Sequence, residues 1–268
     1  MKAICKACGT QFPEASRLPS ACPICCDARQ FVPKSGQEWT TLEKLRGDHR
    51  NAFRQYEANL IGIGTVPEFA IGQRALLIRT PDGNFLWDCI TLVDDATVEM
   101  ISAMGGLRGI AISHPHYYSA MLEWSAAFEN APIFLHAADR EWVMQAGKAI
   151  EFWDGARKEL AAGLTLIHCG GHFAGGTVLH WPAAAEGRGA LLSGDILQVG
   201  PDGMLSFMYS YPNLLPLSAK AVEGVAEAIK SFGYDRIYGA WWERVIERNA
   251  QTVVVESVAR YLRAIGRG

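Results

Sequence analysis

The chain has 268 residues, of which 49% are hydrophobic and 20% charged, with a formal net charge of -3. That balance excludes a disordered or fibrous chain and gives no strong electrostatic pull toward nucleic acid or an anionic membrane. The longest apolar runs, such as Ala75 to Ile78 and Thr252 to Val255, fall far short of the ~20 residues that cross a bilayer.

Residues Met1 to Gly9 show no continuous apolar stretch and no small-residue cleavage pattern, so no secretory signal is expected. Of the seven cysteines, four sit in two close pairs. In a reducing compartment such pairs point to metal rather than disulfides, and the expected location is the cytoplasm.

Residues 1–34 read as a small module of turn residues and cysteines, punctuated by Pro13, Pro19, Pro23 and Pro33. A unit below ~40 residues usually needs a metal or disulfides to stay folded. Residues 35–48 are expected as a linker and 49–268 as the main domain. Strands are predicted over Leu60–Val66, Arg74–Arg79 and Asn84–Ile90, with Pro81-Asp82-Gly83 as a hairpin turn.

Helix-like and strand-like pieces then alternate: Val93–Met104, Gly109–Ser113, Tyr117–Glu129 and Ile133–Leu135. Further strands are expected over Leu164–Ile167, Thr177–Trp181 and Ala190–Ser193, followed by helices around Ala219–Ser231 and Ala250–Ala264. This β-rich then α/β order, run twice, predicts an α/β fold.

Two constellations carry chemistry. The first is Cys5-x2-Cys8 with Cys22-x2-Cys25. Each pair suits a tight knuckle, and four thiolates supply the closed tetrahedral shell of a structural Zn2+. Cys26, beside Cys25, is an alternative fourth ligand. The module carries Lys2, Lys6, Arg17, Arg29 and Lys34 against Glu14 and Asp27. Four thiolates on a divalent ion bring the sum to about +1, too little for a phosphate-binding module. A protein partner is the expected use of the ribbon, and nucleic acid is not expected.

The second constellation is His114-Pro115-His116, His172 within Gly170-Gly171-His172-Phe173-Ala174-Gly175-Gly176, and Gly194-Asp195. Ile112-Ser113-His114-Pro115-His116 resembles the H-x-H-x-D-H motif of the metallo-β-lactamase superfamily. Gly171-His172-Phe173-Ala174-Gly175-Gly176 resembles its G-H-x-x-G-S segment, Ser193-Gly194-Asp195 its S-G-D segment, and Leu86-Trp87-Asp88 the early strand ending in a supporting aspartate. The resemblance spans roughly residues 50–268. It implies a four-layer αββα sandwich with a small zinc ribbon attached.

The residues agree with it. Two histidines at i and i+2 at a strand end can face one ion, with a third histidine and an aspartate arriving from other loops. Imidazoles with a carboxylate suit zinc, and also iron or manganese. A lone histidine at any of these places would more often be a satisfied core or surface residue; four residues in family order point to a metal.

The sequence also departs from the pattern. Where the family's second-site Asp and His stand, this chain has Tyr118 and Ser119, and no histidine lies near Ile237–Trp241, where the last ligand is expected. The implied centre is mononuclear, with Zn2+ or Fe2+ held by His114, His116 and His172, and with Asp195 either a ligand or the base that orients water. Tyr118 is a candidate proton or hydrogen-bond donor in place of a second metal, and equally a packing residue.

The leading reading is a hydrolase of a small-molecule substrate using metal-activated water. A mononuclear iron oxygenase, or a non-catalytic scaffold that binds protein through its ribbon, are the alternatives. His136 is expected beside the cleft, Leu205–Asn213 as a pocket wall or lid, and Trp241 and Trp242 as bulk in the vacant second site. His49, His168 and His180 are expected to be structural, and Cys89 and Cys169 to be core thiols.

Overall fold

In the computed structural model, residues 1–161 and 163–267 are described. They gather into two compact units, Met1–Leu135 with Arg140–Phe152, and His136–Asp139 with the chain from Trp153 on. Among the described residues no helix is long and apolar enough to cross a membrane.

The first unit opens with β1 (Lys2–Cys5), β2 (Gln11–Glu14), the short helix α1 (Pro23–Cys26) and β3 (Trp39–Thr40), the strands pairing in the order β2-β1-β3. The stretch 35–48, expected as a linker, is therefore structured. Its Thr40 and Trp39 pair with Ile4 and Cys5, the Trp39 ring stands edge-on to Phe12 at 5.1 Å, and α2 (Leu42–Asp48) follows under a Thr41 cap.

A seven-stranded sheet comes next. It is built from β4 (Arg50–Glu57), β5 (Leu60–Val66), β6 (Ala75–Thr80), β7 (Gly83–Trp87), β8 (Gly109–Ala111), β9 (Ile133–His136) and β10 (Ile150–Trp153), with α3 (Asp95–Ala103) and α4 (Met121–Ala127) in the connections. The predicted turn is present: Thr80 pairs with Gly83 across Pro81-Asp82, and Gly83 takes φ +117, open to glycine alone at low cost.

Strand β4 was not expected, because its burial is mixed and its polar residues alternate too weakly to announce it. The parallel pairs β7·β8 and β8·β9 matter most for function. Chain segments leaving their carboxyl ends carry Asp88, His114 and His116.

The second unit contains β11 (Arg157–Ala161), β12 (Leu164–His168), β13 (Thr177–Trp181), the one-turn helix α5 (Ala184–Gly187) and β14 (Ala190–Gly194), then the short strands β15 (Gln198–Val199), β16 (Leu205–Ser206), β17 (Met208–Ser210) and β18 (Leu215–Pro216). Helix α6 (Ala219–Ile229), β19 (Arg236–Gly239), β20 (Val245–Ile246) and α7 (Ala250–Ala264) complete it.

Its main sheet has the order β11-β12-β13-β14-β19-β20. Helix α6 starts on a Ser218 cap and turns Val222, Val225 and Ile229 inward, while α7 contributes Ala250, Val254 and Tyr261. These side chains pack with Ile167, Val178, Leu191 and Phe207 into one core, each full burial of a large aliphatic contributing about 1.5–3 kcal/mol.

Candidate functional site

The four-cysteine group forms as expected. Cys5, Cys8, Cys22 and Cys25 are buried, and their sulfurs all lie within 4.8 Å of one another. Two pairs, Cys5–Cys25 and Cys8–Cys22, are both 3.6 Å apart, against an edge of about 3.8 Å for a zinc tetrahedron with ~2.3 Å bonds. The donor set and its spacing fit a structural ion.

Cys26 is exposed and outside the group. Gln37, unmarked in the sequence because a glutamine in a polar stretch carries no motif, closes the cluster: its Nε2 donates to Cys5 Sγ at 3.0 Å and its Oε1 accepts from the Cys22 amide at 3.3 Å.

The histidine loop of the first unit is pinned at its base. Asp88 leaves β7 in the left-handed region, φ +60, which aspartate tolerates better than most residues. Its amide donates to Ala111 O at 2.8 Å, and its Oδ1 accepts from the Ser113 amide at 2.7 Å. Ser113 Oγ then meets His114 Nδ1 at 2.9 Å. With the proton on Nδ1, that contact presents Nε2 as the ligand atom.

A single 3-10 turn over Pro115–Tyr117 follows. The two imidazole centroids stand 5.1 Å apart, and the Tyr117 ring lies 4.4 Å from that of His114. Tyr118 is buried at the end of this turn and lines a small cavity with Thr10, Gln11, Ser119 and Met121.

In the second unit His172 sits in the loop joining β12 to β13. Cys169 and Gly170 amides both donate to Gly176 O, at 2.8 and 2.9 Å. Gly176 passes so close to Gly170 O that a Cβ has no room, and at Gly175 a Cβ would meet the Asp139 carboxylate at 2.7 Å. Asp139, buried, accepts from the Gly175 amide at 2.7 Å. His172 Nδ1 faces Met208 O at 3.1 Å; a carbonyl only accepts, so the proton is on Nδ1 and the lone pair on Nε2.

Asp195 follows β14 and is buried. Its carbonyl accepts from Tyr211 Oη at 2.7 Å, and the Tyr211 ring centroid lies 5.6 Å from that of His172. Burial first, then the nearby Asp195 charge, raises the Tyr211 pKa well above its usual value, so the phenol stays protonated. The segment Leu205–Asn213 thus supports both His172 and Asp195.

His136 stacks on His168 with centroids 3.8 Å apart, and His168 Nε2 donates to Ala174 O of the His172 loop at 2.8 Å. Burial, then the adjacent His168, lowers the His136 pKa. Trp241 and Trp242 lie in the partly buried turn between β19 and β20.

The ligand atoms of His114, His116 and His172 form the second group that lies within 4.8 Å, all three side chains buried. Among the described residues Asp195 does not belong to it. Three imidazoles are a donor set that zinc and iron both accept. Met208 and Tyr211 were expected only as parts of the wall or lid segment Leu205–Asn213; their particular contacts, and the role of Asp139, depend on tertiary neighbours, and the role of Ser113 was hidden because serine beside a histidine is too common to signal anything.

No protein-family model matches the chain. Among solved structures it is similar to VMB-1, with a TM-score of 0.62 and 12% identity over 81% of this chain and 99% of that one. It is also similar to the DIM-1 metallo-β-lactamase exposed to ceftazidime, with a TM-score of 0.58 and 12% identity over 79% and 97% of the two chains. The metallo-β-lactamase SMB-1 in complex with mercaptoacetic acid gives 0.54 and 16% over 77% and 92%.

At those identities the likeness defines the fold, which is that of the metallo-β-lactamases, as the motifs implied. In sequence the chain is 46% identical over 265 residues to the Bacillus subtilis (strain 168) protein named "Uncharacterized protein YmaE", covering 98% of this chain and 96% of that protein, and it belongs to that protein's family.

Proposed function

We propose that the chain is a metal-dependent hydrolase of a small-molecule substrate, working with a single Zn2+ or Fe2+ held by His114, His116 and His172, and with a structural Zn2+ held by Cys5, Cys8, Cys22 and Cys25. The observation that carries this reading is the convergence of three buried imidazoles on a metallo-β-lactamase fold. A cation bound there supplies Lewis acidity and lets water ionise near neutral pH.

The chain's own residues do the rest. Ser113 Oγ and Met208 O anchor the Nδ1 atoms of His114 and His172, so neither of these rings must reorient when a ligand arrives. Asp195, buried in the turn after β14, takes up and returns a proton, and the uncharged Tyr211 fixes that turn through Asp195 O. Tyr118 is the proposed donor to a developing oxyanion. The burial of these groups keeps bulk water from competing. Substrate esters, thioesters and lactones are the class such a site serves.

The test is hydrolysis of such a panel by protein loaded with Zn2+, Mn2+ or Fe2+, set against His116→Ala and Asp195→Asn. Turnover that falls at least about 100-fold in both variants supports the reading. Turnover that survives His116→Ala contradicts it. Oxygen consumption by the Fe2+ form without hydrolysis would assign the site to oxygenase chemistry instead.

A further inference from the structure

The cysteine module was expected to serve a docking role, yet its inner side is packed against its own unit. Among the described residues the Cys cluster has Phe12 and Ile24 as buried apolar partners of its own, and Ile71, Trp142 and Met144 pack on it from outside the module. Arg29 stacks its guanidinium over Trp142, 4.8 Å from the ring centre. Thr91 Oγ1 donates to Gly9 O at 3.0 Å, and Gly9, at φ +79, sits so close to Thr91 that a side chain has no room. Lys2 pairs with Glu123 of α4 at 2.7 Å.

The contact with most consequence is the Gln11 amide, which donates to Ser119 O at 3.0 Å. Ser119, at φ +43, lies three positions beyond His116 in the segment that starts at His114. Positive φ at a serine is costly unless its surroundings hold it. Gln11 holds its carbonyl, while its Oγ accepts from Gln73 Nε2 at 3.0 Å and donates to Cys89 O at 3.3 Å. On the module side, Cys8 Sγ lies 3.3 Å from Thr10 Oγ1, so the sulfur cluster, Thr10, Gln11 and Ser119 form one continuous line. Every residue in it belongs to the first unit.

We propose that the four-cysteine module is a brace for the histidine loop. An ion on Cys5, Cys8, Cys22 and Cys25 fixes the Thr10-Gln11 segment, which holds Ser119 and thereby the His114–Ser119 loop in its ligand-ready form. The inference rests on the metal sites of the preceding section and adds that their occupancies are coupled: the cysteine ion raises the affinity of the histidine site. Without it, four buried thiols in a module of under ~40 residues cannot hold the knuckles together, and Ser119 loses the restraint on its carbonyl, keeping those on its hydroxyl.

Two experiments on the full chain test this separately from the hydrolase reading. In His114→Ala/His116→Ala, which leaves the cysteine group as the metal site, backbone hydrogen exchange is followed with and without Zn2+. The expected result is slowing by about tenfold or more in residues 1–40 and also in 117–123. Slowing confined to 1–40, or spread evenly across the chain including β12 to β14, overturns the brace.

With the histidines intact, Cys8→Ser/Cys22→Ser should weaken Co2+ binding at the histidine site by about tenfold or more; unchanged affinity overturns the coupling. If the wild-type histidines bind no Co2+ at all, the hydrolase reading fails, and the exchange experiment still decides the brace.

Discussion

Ser113 and Asp88 illustrate how much of a metal site is made by residues that touch no ligand. Ser113 donates its amide to a carboxylate and places its hydroxyl on His114 Nδ1, so one small residue sets both the loop's path and the orientation of the ring. Ser113→Ala should keep the fold and weaken metal binding at the histidines by about tenfold to a hundredfold; isothermal titration with Zn2+ measures this, and unchanged affinity would remove Ser113 from the site.

At this scale the ligands themselves were legible, because i and i+2 histidines after a strand and a glycine-flanked histidine are rare patterns with a chemical reason. Their supports were not. Asp139 is one carboxylate among 28 acidic residues, and nothing local marks it as the partner of a glycine 36 positions away.

That pairing belongs to an element, the loop between β12 and β13. The Asp139 carboxylate fills the space that the absent Cβ of Gly175 leaves and satisfies its amide. Asp139→Ala leaves a buried donor without its acceptor and should cost about 1–3 kcal/mol, read as a lower denaturant midpoint, while Asp139→Asn, which keeps an acceptor oxygen, should cost less. Equal losses in the two would show that charge, not the hydrogen bond, matters there.

On the next strand, His180 Nε2 donates to Gly233 O at 2.8 Å, and burial holds its pKa below the ordinary 6.5. The unfolded chain therefore takes up this proton at a higher pH than the native chain does. Stability that His180 contributes above its unfolded pKa is lost as pH falls through that value toward the folded one. Denaturant midpoints should drop between about pH 7.5 and 5.5, and His180→Gln should flatten the drop.

Elements with strong periodicity were legible: β5, β13 and α7 fall on Leu60–Val66, Thr177–Trp181 and Ala250–Ala264, the bounds their patterns predict. The pairs β15·β16 and β17·β18 were not, since two- and three-residue strands are too short to show any period. Strand β3 and helix α2 were hidden for a different reason. The segment 35–48 is polar and follows a proline-rich module, and its order comes from pairing with β1, a contact made across more than 30 positions.

For the whole molecule, the resemblance of four motifs in family order was enough to anticipate the fold that the structural relatives display, although no pairwise identity with those relatives exceeds 16%. The same reading set the cysteine module apart as a docking unit. Composition and spacing point to a metal in such a module, but not to what its surface rests on, and its hold on Thr91 and Ser119 appears only in three dimensions.

The central claim is that the chain holds two ions, one on four cysteines and one on three histidines. Elemental mass spectrometry on purified full-length protein, with His116→Ala and Cys8→Ser/Cys22→Ser alongside under saturating Zn2+, tests it most directly. The account predicts two ions per chain in the wild type and one in each variant. A wild-type content of one that is unchanged by His116→Ala would mean that the histidines hold nothing, and would contradict it.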